Sequence, residues 1–390
     1  MFVGFDRHAT SEHLLVAIIE ALCKAGHSVH IIQKNTEGPL PVIPETLSGY
    51  PVTTDLIPFK PADKGNLIAR YLTEMKYVRQ CKEKIKAGYD AVFIQSNYVA
   101  GFAVNAIRRK MPDVPVTFNV QDVFPYNAMY SGKVGKKSVI FKTLAFLQRR
   151  GYKRSNRIIT ISEDMKETLV SDGTPAGKIE VIYNWSYRDE PYKDVDISPV
   201  EHMFNKDYFN VTYAGNIGVM QNVELIVEAA RILKDEKGIW FNIVGNGLYK
   251  EKLQSMVAEN GITNISFWTL LPPELSPAVY CASDVNVIPL VKNAYKTALP
   301  SKTATCLACP TPVVFAIGKE SVFCQKAVKG ADCRSIDANR PDELVDAILK
   351  LRGGEHHLDT GDFFEKYCSV SLNSMKYAEI ITQTNGRQTD

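Results

Sequence analysis

Three short stretches place residues suited to holding an anion just beyond apolar runs. The first, TALPSKTATCLACPTPVV (297–314), opens on Leu299, Pro300 and Ser301, followed by Lys302 at an expected helix start, and closes on a Pro-Val-Val that reads as a buried strand. Proline suits the first turn of a helix, where its missing donor is not needed, and the free amides and positive dipole end there draw an anion. Lys302 adds a full charge against a diphosphate. The other two are YAGNIG (213–218), with Gly215, Asn216 and Gly218, and VGNG (244–247), with Gly245, Asn246 and Gly247. Glycine lets backbone approach a phosphate closely and leaves amide hydrogens aimed at it from a helix start. Glycines that serve only a tight turn, and a lysine that is merely solvated, are the plainer readings of the same residues.

These stretches need elements to position them. Short apolar runs alternate with helical patterns along the chain, which points to parallel sheets with helices on both faces. In the first half the runs are MFVGF (1–5), SVHIIQ (28–33), YPVTTDLIPF (50–59), DAVFIQS (90–96), VPVTFNV (114–120) and NRIITIS (156–162). In the second they are FNVTYAG (209–215), IWFNIVG (239–245), ISFWTL (265–270), DVNVIPL (284–290), TPVVFAI (311–317) and ADCRSI (331–336), with helices expected from near Gln221, Leu248, Pro273, Pro300, Glu320 and Pro341. A polar, aperiodic segment separates the halves, so the expected order is a first domain over 1–185, a linker over 186–208, a second domain over 209–361 and a terminal helix over 362–390. Two doubly wound domains facing across a cleft bring the carboxyl ends of their strands together, where such folds bind ligands.

Composition narrows the class. The chain has 390 residues, 45% hydrophobic and 23% charged, with a net charge of +3, so a basic surface for a partner must be local rather than global. Eight cysteines lie mostly in apolar runs; Cys306 and Cys309 form a CxxC without a second pair, and reduced, buried thiols of a cytosolic protein fit better than zinc or redox chemistry. The amino terminus lacks a secretory pattern, and no run reaches ~18 apolar residues, so a membrane-spanning segment is not expected. Between Tyr126 and Arg157 there is no acidic residue, while Lys133, Lys136, Lys137, Lys142, Arg149 and Arg150 occur among Val139, Ile140, Phe141, Leu144, Ala145, Phe146 and Leu147. A basic amphipathic helix of this kind suits an anionic bilayer surface; a domain helix with a solvated basic face is the alternative.

The ordered set YAGNIG, VGNG, FWTLLPPELSPAVYCASDVNVIPL and LPSKTATCLACPTPVV resembles the carboxyl-terminal domain of a GT-B glycosyltransferase of the family 4 type, as found among bacterial surface-polysaccharide enzymes. SEHLLVAIIEALCKAGHSVHIIQ and NVQDVFP resemble its amino-terminal domain, and RIITIS followed by IEVIYNW resembles that domain's last strands. The resemblance implies an α/β GT-B chain whose terminal helix returns to the first domain. It implies transfer of a hexose from a nucleotide-sugar, a UDP-sugar being favoured, to a hydroxyl of a lipid-linked saccharide, with retention and with neither metal nor cofactor. The diphosphate would meet Gly218, Lys302 and the turn at Leu299–Ser301, and the base would lie against Trp268, Thr269 and Leu270. Asp122 would orient the reacting sugar or accept a proton, although a turn role for Asp-Val-Phe-Pro is as good a reading. Arg7 and His8, in the first loop, would touch the acceptor.

The departures from the family pattern are specific. Thr297 and Thr305 stand where many relatives carry two glutamates, and a hydroxyl offers no charge to a ribose. The first glycine turn lacks the usual arginine and lysine, leaving Lys302 as the main phosphate cation, helped by Lys250 or Lys252. An epimerase of the same fold would need converging acid-base groups, whereas His202, His356 and His357 are expected outside the strand-end turns. A dinucleotide oxidoreductase would need a completed GxGxxG, and a non-catalytic sugar-nucleotide-binding partner is the remaining alternative. The expected location is the cytoplasm, at the inner face of the cell membrane.

Overall fold

The computed structural model describes residues 1–5, 12–35, 43–62, 67–86, 88–97, 100–356 and 361–383. The chain divides into two compact units, one formed by Met1–Tyr183 with Val370–Asp390 and the other by Asn184–Ser369. Arg7, His8 and His357 lie outside the described residues.

Along the first unit run β1 (Phe2–Phe5), α1 (Glu12–Lys24), β2 (Val29–Asn35), β3 (Val52–Pro58), α2 (Leu67–Lys84), β4 (Val92–Gln95), α3 (Ala100–Lys110) and β5 (Val116–Val120). There follow α4 (Tyr126–Tyr130), α5 (Val139–Arg154), β6 (Arg157–Thr160), α6 (Glu163–Ser171) and β7 (Ile179–Val181). The strands pair in parallel in the order β3-β2-β1-β4-β5-β6-β7. Their apolar runs are buried as parallel strands covered by helices require: every residue of β5 is inside.

Local chemistry sets the helix limits. α1 buries Leu14, Leu15, Ile18, Ile19 and Leu22 along one stripe, and Gly26 closes it at φ +87°, a conformation that favours glycine. Ser138 and Ser162 cap α5 and α6, their hydroxyls accepting from the Phe141 and Met165 amides at 3.2 Å. α3 and α5 cross almost backbone to backbone, since a Cβ on Gly151 would fall 2.6 Å from the Gly101 Cα.

The second unit runs β8 (Phe209–Ala214), α7 (Glu224–Ile232), β9 (Ile239–Val244), α8 (Lys250–Glu259), β10 (Ile265–Trp268) and α9 (Ser276–Cys281). It continues with β11 (Val285–Pro289), α10 (Thr303–Ala308), β12 (Val313–Ala316), α11 (Val322–Gly330), β13 (Cys333–Ser335), α12 (Pro341–Arg352) and α13 (Gly361–Tyr367). Its sheet is again parallel, in the order β10-β9-β8-β11-β12-β13. The strand order thus reverses between β8 and β11, the point of a doubly wound sheet at which ligands bind. The segment 186–208, expected as a linker, carries Tyr192, Val200 and Met203 into the interior; the last two pack with Val244, Ala278 and Val279.

The terminal helix α14 (Val370–Gln383) belongs to the first unit, as the resemblance implies, and packs along α1. Its Tyr377 is fully buried and donates to the Asn119 side chain at the end of β5 at 3.0 Å. Among the described residues no helix is long and apolar enough to cross a membrane.

Candidate functional site

At the reversal point of the second unit, β8 ends at Ala214 and the chain turns through Gly215–Gly218. The second turn, Gly245–Gly247, lies directly against it. A Cβ on Gly245 would sit 1.9 Å from the Gly215 carbonyl oxygen, and one on Gly247 2.1 Å from that of Ile217. The parallel ladder continues through both turns, from the Gly215 amide to Val244 O and from the Ile217 amide to Asn246 O, each at 2.9 Å. Gly215 at φ +144° and Gly245 at φ +154° hold backbone conformations that side chains disfavour. The glycines therefore serve first to press one turn onto the other. At the rim, Gly218 begins the next turn, and Asn216 is held by Gln221 at 3.1 Å.

Lys302 does not lie out along its own helix. The helix begins at Thr303 rather than at Pro300, because the Thr303 amide closes a turn onto Pro300 O while Lys302 takes the N-cap position. From there the side chain reaches back to β8. Its Nζ donates to Ala214 O at 2.9 Å and sits 3.5 Å above the centroid of the buried Tyr213 ring. Tyr213 in turn donates its hydroxyl to Asn216 O at 2.5 Å, tying the first turn to the ring beneath the amine. A Cβ on Gly215 would stand 3.2 Å from Nζ, so glycine there also makes room for the amine. Burial pushes the Lys302 amine down to about 7. Among the described residues no carboxylate is paired with it.

The other expected contacts divide. Lys250 holds Gly245 O at 2.9 Å, Trp268 O at 2.8 Å and Asn246 Oδ1 at 3.3 Å, so its amine staples the second turn to the end of β10. Lys252 lies over the Tyr249 ring at 4.5 Å and pairs with Glu224 at 3.5 Å. Trp268 donates its ring nitrogen to Asn242 Oδ1 at 3.1 Å, while Thr269 and Leu270 are exposed beyond it. The Thr297 hydroxyl is buried and donates to Ala294 O at 3.0 Å. Buried Thr305 has its hydroxyl 3.5 Å from Ser186 Oγ. Thr297 thus spends its hydroxyl proton on the backbone, while Thr305 accepts the contact from Ser186.

Sequence reasoning missed two neighbours of this region. Tyr213 reads as one more apolar strand residue, with only the following Ala-Gly hinting at a turn above it. His202, expected away from the strand ends, is exposed and stacks edge-on against Trp268 with ring centroids 5.9 Å apart. No periodic signal in 184–208 foretells that contact. His356 fits its expected position away from those ends, 3.3 Å from Asp332.

In the first unit, Asp122 follows β5. Burial pushes its carboxyl up to about 7, opposed by the hydrogen bond from Asn127. A carboxyl near neutrality at a strand's carboxyl end is equipped to accept a proton. On α5 the apolar set separates into two faces. Phe141, Leu144 and Ala145 are buried, Phe141 and Ala145 in a cluster with Ala128 and Val134, whereas Val139, Ile140 and Phe146 are 78%, 52% and 60% exposed. Lys133, Lys136, Lys137, Lys142 and Arg150 are exposed as well. Arg149 differs from the expected surface cation: it pairs with Asp172 at 2.7 Å and reaches the Tyr126 hydroxyl at 3.3 Å.

With this geometry in hand, the chain matches the family model for Glycosyltransferase Family 4 over residues 11–185 and that for Glycosyl transferases group 1 over residues 208–353. It is similar to a protein of Escherichia coli (strain K12) named as a colanic acid biosynthesis glycosyl transferase, WcaI, with 29% identity over 51% of this chain and 50% of that one. It is also similar to a Pseudomonas aeruginosa protein named as a glycosyltransferase, WbjE, with 24% identity over 60% of this chain and 59% of that one. The chain therefore aligns with about half to three-fifths of the length of these curated relatives. Among solved structures, HepE of Anabaena in complex with UDP and glucose superposes with a TM-score of 0.65 at 14% identity, covering 98% of both chains. WaaG, a glycosyltransferase involved in lipopolysaccharide biosynthesis, superposes with a TM-score of 0.66 at 13% identity over 98% of this chain and 100% of that one. At such identities these two likenesses speak for the GT-B fold.

Proposed function

Because the chain belongs to the GT-B glycosyltransferases of the family 4 type, we propose that it transfers a hexose from a UDP-sugar to a hydroxyl of a lipid-linked saccharide during synthesis of a surface polysaccharide, with retention at the anomeric carbon. The observation that carries this reading is the Lys302 amine, desolvated at the end of β8 beside the two glycine turns and without a carboxylate partner among the described residues. As the bond to the leaving diphosphate lengthens, the sugar becomes oxocarbenium-like and negative charge grows on the nucleotide. A preorganised cation beside turn amides stabilises that charge more than it stabilises the ground state, which is what accelerates the step. The relative named for colanic acid biosynthesis favours a surface polysaccharide as the product. Incubation with UDP-, GDP- and dTDP-hexoses and a polyprenyl diphosphate saccharide tests the reading. Transfer from a UDP-hexose that persists in a chelator is expected; epimerisation, or binding without transfer, overturns it.

The exposed face of α5 supports work at a membrane surface. Val139, Ile140 and Phe146 can enter the headgroup region while Lys136, Lys137, Lys142 and Arg150 meet anionic lipid, each cation contributing about 1 kcal/mol. Reversing these four charges to glutamate lowers affinity for phosphatidylglycerol vesicles by at least about 100-fold in a sedimentation assay. Equal sedimentation of the reversed and parent proteins would sink the membrane reading while leaving the donor reading in place.

A further inference from the structure

The CxxC of the sequence is not the thiol pair that the fold assembles. Cys306 faces the interior on α10, where burial pushes its thiol up to about 12 and keeps it protonated. Cys309, at the end of the same helix, turns its sulfur toward α9. Its Sγ lies 3.2 Å from Thr305 O and 3.9 Å from Pro277 O. Pro277 is one turn before Cys281 along α9, so the Cys309 sulfur stands against the last turn of that helix. Cys281, four residues after Pro277, lies on the same face of that turn, and each of the two thiols perturbs the other's acidity.

The two thiols differ in the way an oxidisable pair requires. Cys281 is partly exposed and Cys309 is buried. The neighbouring Cys309 thiol is the largest influence bringing the Cys281 thiol below its ordinary range; burial opposes it, and the Arg188 guanidinium adds to it. That guanidinium is fixed 4.0 Å over the Tyr192 ring and donates to Pro191 O at 2.9 Å, so its charge is built into the site rather than passing by. The Tyr192 amide is in turn bonded to Ala308 O at 2.7 Å, which holds this strap against the end of α10.

We propose that Cys281 and Cys309 are a hydroperoxide-sensitive dithiol that closes reversibly into a disulfide joining α9 to α10. The Cys281 thiolate attacks the outer oxygen of a hydroperoxide, forming an S–O bond as the O–O bond breaks. After proton uptake the products are a Cys281 sulfenic acid and an alcohol, or water when the oxidant is hydrogen peroxide. The Cys309 sulfur then attacks the Cys281 sulfur, the S–O bond breaks, and the hydroxide leaves as water with the proton from Cys309. The peroxide is reduced by two electrons and the two thiols supply them. Neither step involves the sugar-transfer chemistry, so the pair stands or falls independently of that reading.

Brief treatment of the whole chain with hydrogen peroxide, alkylation of the remaining thiols under denaturing conditions and peptide mass spectrometry test it. The expected result is a Cys281–Cys309 linked peptide two hydrogens lighter than its parts, loss of alkylation at both residues, recovery with dithiothreitol, and an unchanged Cys306. In Cys309→Ser the reaction stops at a Cys281 sulfenic acid that dimedone traps. If Cys281 instead accumulates as sulfinic acid in the parent protein while Cys309 stays fully alkylated, or if the linked peptide joins Cys306, the proposal is wrong. Both readings come from the unmutated chain, so they hold even if a variant folds poorly.

Discussion

Lys302→Met is expected to lower turnover by about 100- to 1000-fold, the usual effect of removing a donor that meets charge developing in the transition state. Methionine keeps the stem that crosses the Tyr213 ring and removes only the cation. The pH dependence of donor binding gives a sharper signature than the rate. The free amine titrates at about 7, and a bound diphosphate raises that value because it favours the charged form. Affinity for a UDP-hexose, whose diphosphate does not titrate near neutrality, is then full below about pH 7. It falls as pH rises through that value, by up to about tenfold per unit, until the pKa of the bound state is reached. Isothermal titration in buffers of different ionisation enthalpy should record proton uptake above pH 7, and Lys302→Met should remove both the uptake and the slope. Full transfer by that variant would dismiss the role assigned to the lysine.

Asp122→Asn carries the second large effect, a loss of about 100-fold or more in kcat/KM. Burial raises the Asp122 carboxyl to about 7, so the ionised form needed to accept a proton is reached only as pH rises through that value. Together with Lys302, which is needed protonated, it gives a bell-shaped profile with its maximum near pH 7. The acidic limb belongs to Asp122 and the alkaline limb to Lys302. Asparagine at 122 should abolish the acidic limb and leave the alkaline one. An acidic limb that survives the substitution means that Asp122 orients its surroundings without taking the proton.

The strands were easy to read because buried parallel strands are nearly continuous apolar runs: those of the second sheet fall within the runs quoted from the sequence, while in the first β2 extends two residues beyond its run and the short edge strand β7 lies in none of them. Helix starts were harder to place: Pro300 suits a first turn, yet α10 begins at Thr303 because a turn closes first onto the Pro300 carbonyl. The site was legible in its residue types and less so in their directions. That Lys302 bends back to a carbonyl 88 positions earlier depends on the path of a flexible side chain between two elements, and local spacing carries no information about such a path. Periodicity placed Phe141 and Phe146 on one helix, but only the packing of Phe141 against Tyr126, Ala128 and Val134 decides that the first is inside and the second outside. The same holds for Cys309, whose partner in sequence is Cys306 and whose partner in space is Cys281.

The contact between the two glycine turns bears on how this chain could be given a new sugar or base. Gly245 and Gly247 cannot be varied alone, since a single methyl on either meets the backbone of the opposing turn. A library aimed at those two glycines would therefore disturb the paired turns first. The freedom lies at the rim, where Thr269 and Leu270 are exposed and His202 leans on Trp268. Diversity placed in that small group, with the paired turns left untouched, is where altered donor preference should be sought.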